Sequence, residues 1–128
     1  MAKRPLSLHV RIPPYRHPRN EWRKEVHKAV QAKMRDSGIS YRRTDRLQLS
    51  VKLYLPEPAL LIQDVDNRLK DLLDALQGRA GGPKKVRAHP PLVPNDNQIY
   101  RVVMEKCVPN KNSGNRGHLT IRKLATPK

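Results

Sequence analysis

The chain has no phenylalanine, one tryptophan and one cysteine among its 128 residues. Without Phe, and with hydrophobic residues at 37%, a core must be built mainly from Leu and Val and must be small, so a second subunit would help cover what one chain cannot. The lone Cys107 excludes an internal disulfide and a multi-cysteine zinc site, and its strand-like setting reads as that of a buried bystander thiol. No two of the five histidines lie within four residues of each other, which excludes a local zinc pair. No apolar run approaches the roughly 18 residues that span a bilayer, and no apolar segment follows Lys3-Arg4. The expectation is a cytoplasmic protein with no membrane partner. Acids are the other scarcity: 11 Asp and Glu stand against 27 Lys and Arg, a net charge of +16.

That excess is spread along the chain. Thirteen cations fall in positions 1–46, four between Arg79 and Arg87, and seven from Arg101 onward. A broad basic face of this kind suits a polyanion, and nucleic acid is the partner it points to. The few acids, by contrast, are concentrated: Asp64, Asp66, Asp71, Asp74 and Asp96 lie within 33 residues. Clustered carboxylates bind hard divalent cations through oxygen, and a divalent cation held against a phosphodiester is a means of hydrolysing it. Together the two features read as a metal-dependent nuclease.

Hydrophobic periodicity predicts a single α+β domain over residues 1–128. Leu6, Leu8, Val10 and Ile12 alternate with polar residues as a half-buried strand does, ending at Pro13-Pro14. A basic loop follows, then a helix from Glu21 to Ser37 with Asn20 as N-cap, Gly38 as stop and Arg23, Lys24, Lys28 and Arg35 on its outer face. Arg46–Leu55 alternates again. A second helix from about Val65 to Gln77 carries Val65, Leu69, Leu72, Leu73 and Leu76 as its apolar stripe and ends at Gly78. Residues 79–94, rich in Gly, Pro and cations, read as a long mobile basic loop. Strands at Ile99–Val108 and His118–Leu124, joined by the turn-forming residues 110–114, complete the order β-α-β-α-β-β. The expected architecture is a roughly four-stranded mixed sheet covered by two helices and closing on a hairpin.

At ~100° per residue the second helix sets Asp66, Lys70, Asp74 and Asn67 on its polar side, with Asp64 just before it. Helix capping and ion pairing with Arg68 or Lys70 explain such aspartates as readily as metal binding does. Asn95-Asp96-Asn97-Gln98 is equally at home as a turn before a strand.

The pattern Asp64-x-Asp66-Asn67-x-x-Lys70, then Asp74-Ala75-Leu76, then Asn95-Asp96-x-Gln98-Ile99, resembles the RusA family of Holliday-junction resolvases. The similarity is densest over residues 64–104. The resemblance implies a structure-selective endodeoxyribonuclease that resolves four-way DNA junctions by paired nicks and works as a homodimer with Mg²⁺ or Mn²⁺. It implies Asp64, Asp66 and Asp96 as catalytic metal ligands and Lys70 as a catalytic cation. Asn67 and Asp74 are then supporting residues around the ligands. Arg16, Arg19, Arg23, Lys84, Lys85 and Arg87 are the expected DNA contacts. Where family members often carry basic residues before the motif, this chain has Ala59-Leu60-Leu61-Ile62-Gln63, which reads as core, subunit interface or an apolar wedge against unstacked bases. A non-catalytic nucleic-acid binder and a nuclease of other branched DNA are the alternatives.

Overall fold

The computed structural model describes residues 7–16, 18–55, 65–79, 89–108 and 116–124, with the backbone alone at Val65, Asp66 and Asp96. Strand β1 (Ser7–Ile12) leads to helix α1 (Arg19–Ser37), β2 (Leu47–Tyr54), helix α2 (Val65–Leu76), a short 3-10 turn (Asp96–Gln98), β3 (Ile99–Cys107) and β4 (Gly117–Lys123). This is the α+β order that periodicity predicts. The four strands form one mixed sheet in the order β1-β4-β2-β3, with β4 antiparallel to both neighbours and β3 parallel to β2. Among the described residues no helix is long and apolar enough to cross a membrane.

The sheet corrects the expected closing hairpin. β3 and β4 do not pair; β4 inserts between β1 and β2, and β3 goes to the outer side of β2. Burial accounts for the choice. Leu119 and Ile121 of β4 are essentially inaccessible, as a central strand requires, whereas Val102 and Val103 of β3 stay exposed at the edge. A turn signal after β3 reports a chain reversal, not which strand will lie alongside.

Alternation builds the core. Leu8, Val10 and Ile12 of β1, Leu47, Leu49, Val51 and Leu53 of β2, and Leu119 and Ile121 of β4 all bury one face, against Trp22, Val26 and Val30 of α1 and Leu72, Ala75 and Leu76 of α2. Trp22 is fully buried and donates its indole N–H to the Pro13 carbonyl at 3.0 Å, which ties α1 to the end of β1. Cys107 is only half-buried.

Helix α1 starts two residues earlier than predicted. Pro18, extended at φ −72°, ψ 151°, stands at the N-cap, and its carbonyl accepts the N–H groups of Glu21 and Trp22 at 3.0 and 3.2 Å. Asn20 lies inside the helix and accepts from Arg23 instead. No side chain caps this end, and proline's preset φ suits chain entry into a helix. At the other end Gly38 takes φ 66°, and the N–H of Ile39 closes on the Met34 carbonyl at 3.0 Å, the left-handed stop expected of glycine.

Candidate nucleic-acid interface and acidic helix

Helix α2 buries Leu72 and Leu76 of its apolar stripe as expected, but its buried face is turned from the centre of that stripe. Arg68 and Asp71 are buried along with Leu72, Ala75 and Leu76, while Leu69 and Leu73 are only half-buried, a rotation of roughly 80° at ~100° per residue. The cause is an ion-pair cluster against α1. Asp71 Oδ1 accepts from Arg23 Nη2 at 2.6 Å, Arg23 Nε at 2.9 Å and Arg19 Nε at 3.1 Å. Arg68 Nη2 lies 3.3 Å from Asp71 Oδ2, and Arg23 Nη2 lies 3.2 Å from Asp74 Oδ2. The Arg68 guanidinium also stacks on the Tyr15 ring, 3.8 Å from its centroid. Burial lowers the Arg68 pKa, and the Asp71 carboxylate opposes that shift.

These contacts sort the expected site residues. Arg23 is a buried strut between the helices, which corrects its placement on the outer face of α1 and as a DNA contact: its guanidinium is taken up by two aspartates. Arg19 is half-exposed and gives only its Nε to Asp71, and Arg16 pairs with Glu25 on the surface. Asp74 faces Arg23. Asn67 and Lys70 are exposed on the side of α2 that carries position 66. Asp64, Lys84, Lys85, Arg87 and the 59–63 stretch lie outside the described residues, as do the side chains of Asp66 and Asp96. Among the described residues no three His, Cys, Asp or Glu side chains gather to hold a metal ion.

The backbone leading to Asp96 is well tied. Asp66 lies in the first turn of α2, where the helix N-terminus favours negative charge. At the C-terminal end of α2, Gly78 adopts φ 81°, Arg79 N–H closes on the Asp74 carbonyl at 2.9 Å, and Gly78 pairs with His89 through a 3.1 Å hydrogen bond. Leu92 and Val93 N–H groups then bond the Leu76 carbonyl at 2.8 and 3.2 Å. His27 anchors the same segment by a 2.9 Å bond to the Pro90 carbonyl and stacks on His89. Three residues beyond Val93, Asp96 opens the 3-10 turn. Gln98 holds that turn by donating to the Arg42 and Asp45 carbonyls at 2.7 and 2.9 Å, while Asn95 Oδ1 accepts from Asn97 N–H, the turn chemistry expected of these residues.

The sheet carries a second polar surface that the reading of charges in loops and helices did not anticipate. Both helices use one face, and the register sets the other in rows: Arg11, His118, Lys52 and Glu105; His9, Thr120, Ser50 and Val103; Ser7, Arg122, Gln48 and Arg101. Glu105 is the only acidic residue in these rows. Between β2, β3 and β4 lies a shallow groove of about 270 Å³ lined by Lys52, Tyr54, Glu105, His118 and Thr120 among others. Tyr54 meets His118 edge-on at 6.0 Å. Partial burial lowers the His118 pKa, with the positive charges of Arg11 and Lys52 acting in the same direction. The signal was present in sequence: two helices cover one face of a four-stranded sheet, so the polar positions of alternating strands must form a second surface.

A scan against protein-family models and a search of curated proteins both found no match for this chain.

Proposed function

We propose that this protein is a metal-dependent endonuclease of branched DNA, acting on four-way junctions by paired nicks. The observation that carries the reading is the Asp64-x-Asp66-Asn67-x-x-Lys70 motif opening an α-helix on which Asn67 and Lys70 are exposed, while Asp71 and Asp74 further along are taken up by arginines. The helix thus divides its acids between scaffold and motif. Aspartate carboxylates are hard oxygen donors, the set magnesium or manganese prefers, so Asp64, Asp66 and Asp96 are the residues to hold the ion. When bound, the ion supplies a Lewis acid for the attacking water and the phosphate charge. Lys70, one helical turn beyond Asp66, brings an ammonium to the same side of α2 and stabilises negative charge developing on the phosphate. Asn67 orients a carboxylate or a phosphate oxygen through its amide. A homodimer supplies two such sites about a two-fold axis, one for each nick.

The test is incubation with a synthetic four-way junction and with linear duplex, with and without magnesium. Magnesium-dependent paired nicks in the junction are expected. Asp66→Asn is expected to abolish them and leave junction binding intact or tighter, because removing negative charge does not harm a basic surface. Nicking of flaps or forks in preference to junctions would reassign the substrate. Binding without any metal-stimulated nicking would favour a non-catalytic nucleic-acid binder, the reading that the basic open sheet face supports.

A further inference from the structure

Strands β2 and β3 begin side by side, and their register slips there: Leu47 pairs with Ile99 but Gln48 with Arg101, so Tyr100 is an extra residue with no partner of its own in β2. A bulge of this kind re-aims a side chain, and Tyr100 is 62% exposed. Arg46 lies over its ring, 5.1 Å from the centroid. A tyrosine this exposed, with a cation against one face, presents the other face to solvent. Arg42 and Arg43, exposed in the turn before β2, and Arg101, exposed next to Tyr100, complete the patch. Among the described residues none of these four arginines makes an ion pair, whereas Arg19, Arg23 and Arg68 are taken up by aspartates of α2. Asp45, the acid of the turn, is occupied by Lys123 at 3.5 Å and by the Arg42 N–H at 2.8 Å. The turn is also held in place. Gln98 donates to the Arg42 and Asp45 carbonyls, so the turn, the bulge and the 3-10 turn opened by Asp96 form one corner of the sheet. Tyr100 follows Asp96 by four residues, a span of about 14 Å at most.

We propose that this corner binds an unpaired nucleotide of DNA: Tyr100, backed by Arg46, stacks on the base, and Arg42, Arg43 and Arg101 hold the neighbouring phosphates. The chemistry narrows the partner. Guanidiniums without carboxylates call for an anion, and an open aromatic face among them calls for a planar group joined to that anion. A nucleotide carries both. Inside a linear duplex each base is already covered by its neighbours, so the ring can take only a base freed at a crossover, a gap or a single-stranded end. The patch thereby favours branched over linear DNA. Its use in placing a strand beside Asp96 for cleavage rests on the nuclease reading; the stacking itself does not.

The experiment uses the full chain in EDTA, so that metal-dependent cleavage does not intrude, and reads the fluorescence anisotropy of a labelled oligothymidine, a blunt duplex of the same length and a four-way junction. Tyr100→Ala is expected to weaken oligothymidine binding about 5- to 150-fold, the effect of losing one stacked base, and to weaken junction binding in the same direction, while duplex binding changes less than about twofold. Tyr100→Phe is expected to bind like the parent and Tyr100→Leu like Tyr100→Ala, because an aromatic face and not apolar area is at stake. Arg43→Ala is expected to make the slope of log affinity against log salt on oligothymidine shallower by about 0.7, and Lys24→Ala, on α1, to leave it unchanged. Circular dichroism melts verify that each variant folds. Parent-like binding by Tyr100→Ala or Tyr100→Leu, an equal loss on duplex, a slope change matched by Lys24→Ala, or a parent that does not bind oligothymidine overturns the proposal. A Tyr100-dependent preference for the matching uridine strand overturns the assignment to DNA. These readouts are independent of cleavage: junction nicking with no stacking at Tyr100 sinks this inference alone, and stacking with no metal-stimulated nicking sinks the nuclease reading alone.

Discussion

The two faces of the sheet treat positive charge in opposite ways. Under the helices, Arg23 and Arg68 are buried and answered by Asp71 and Asp74. On the open face, among the described residues, Lys52, Arg101 and Arg122 lie in strand rows whose one acid is Glu105. A cation taken out of water must be paired, whereas one left in water is available to a phosphate. The net charge of +16 therefore does not separate cations that are buried and paired from those left at the surface. Arg23 and Lys52 count alike in composition and differ in kind.

The largest test of this contrast is removal of an acid from the buried cluster. Asp71→Ala leaves Arg23 and Arg68 without their common counter-charge, both largely sealed from solvent, and breaking a buried pair from one side costs about 3–5 kcal/mol. A urea titration should show the loss, with α1 and α2 separating first. Arg23→Met and Arg68→Met combined with Asp71→Leu should cost much less, because the buried charges are then removed together. If Asp71→Ala melts like the parent, the cluster is not holding the helices together.

Next is Gly78, at the far end of the same helix. Its φ of 81° belongs to the left-handed region, and a Cβ there would meet the His89 carbonyl oxygen at 2.1 Å. Gly78→Ala should destabilise by at least ~1–2 kcal/mol from the backbone conformation alone, with the clash adding to it. On the proposed nuclease reading, metal-stimulated nicking should fall further than stability does, since residues 89–93 are fastened there and Asp96 follows. Thermal melts and nicking rates on one preparation separate the two effects.

The elements were legible because alternation and helical spacing are local: β1, β2 and both helices begin and end within two residues of where periodicity puts them, and Gly38 and Gly78 stop the helices as expected. What was not legible depends on partners far along the chain. Arg23 and Asp71, 48 residues apart, each read as a surface charge, and only their meeting turns α2 away from its apolar stripe. The place of β4 is equally tertiary, decided by which strand can be buried from both sides. In the candidate site, the motif and the turn at Asn95–Gln98 were legible as helix start and strand approach. The open basic face went unread because its residues come from four strands, each contributing one cation at a time.

A smaller effect should come from pH, again on the covered side. Burial, assisted by His89, lowers the His27 pKa against the opposing hydrogen bond to the Pro90 carbonyl, so the folded state favours neutral His27. The unfolded chain takes up a proton near the ordinary value of about 6.5 while the folded one resists it. The stabilisation is therefore complete above about pH 6.5 and is lost as pH falls toward the lower folded value. His27→Gln keeps a donor for Pro90 and removes the titration, so its urea midpoint should decline less than the parent's between neutral and acidic buffer. Equal declines would assign the acid limb to other groups.

The smallest expected effect is on the open face, and it separates the faces most cleanly. Lys52→Ala removes an exposed cation in register with His118 and Glu105 and bordering the groove. Nothing buried loses a partner, so the melting temperature should not move. If this face lies on DNA, the slope of log affinity against log salt should become shallower by about 0.9, the counterion equivalent of one phosphate contact on duplex. The same slope measured for Lys24→Ala, on the exposed side of α1, supplies the reference for a cation off this face. A matching change in both variants would mean that the chain binds through its overall field, and an unchanged slope for Lys52→Ala alone would move the phosphates off the sheet.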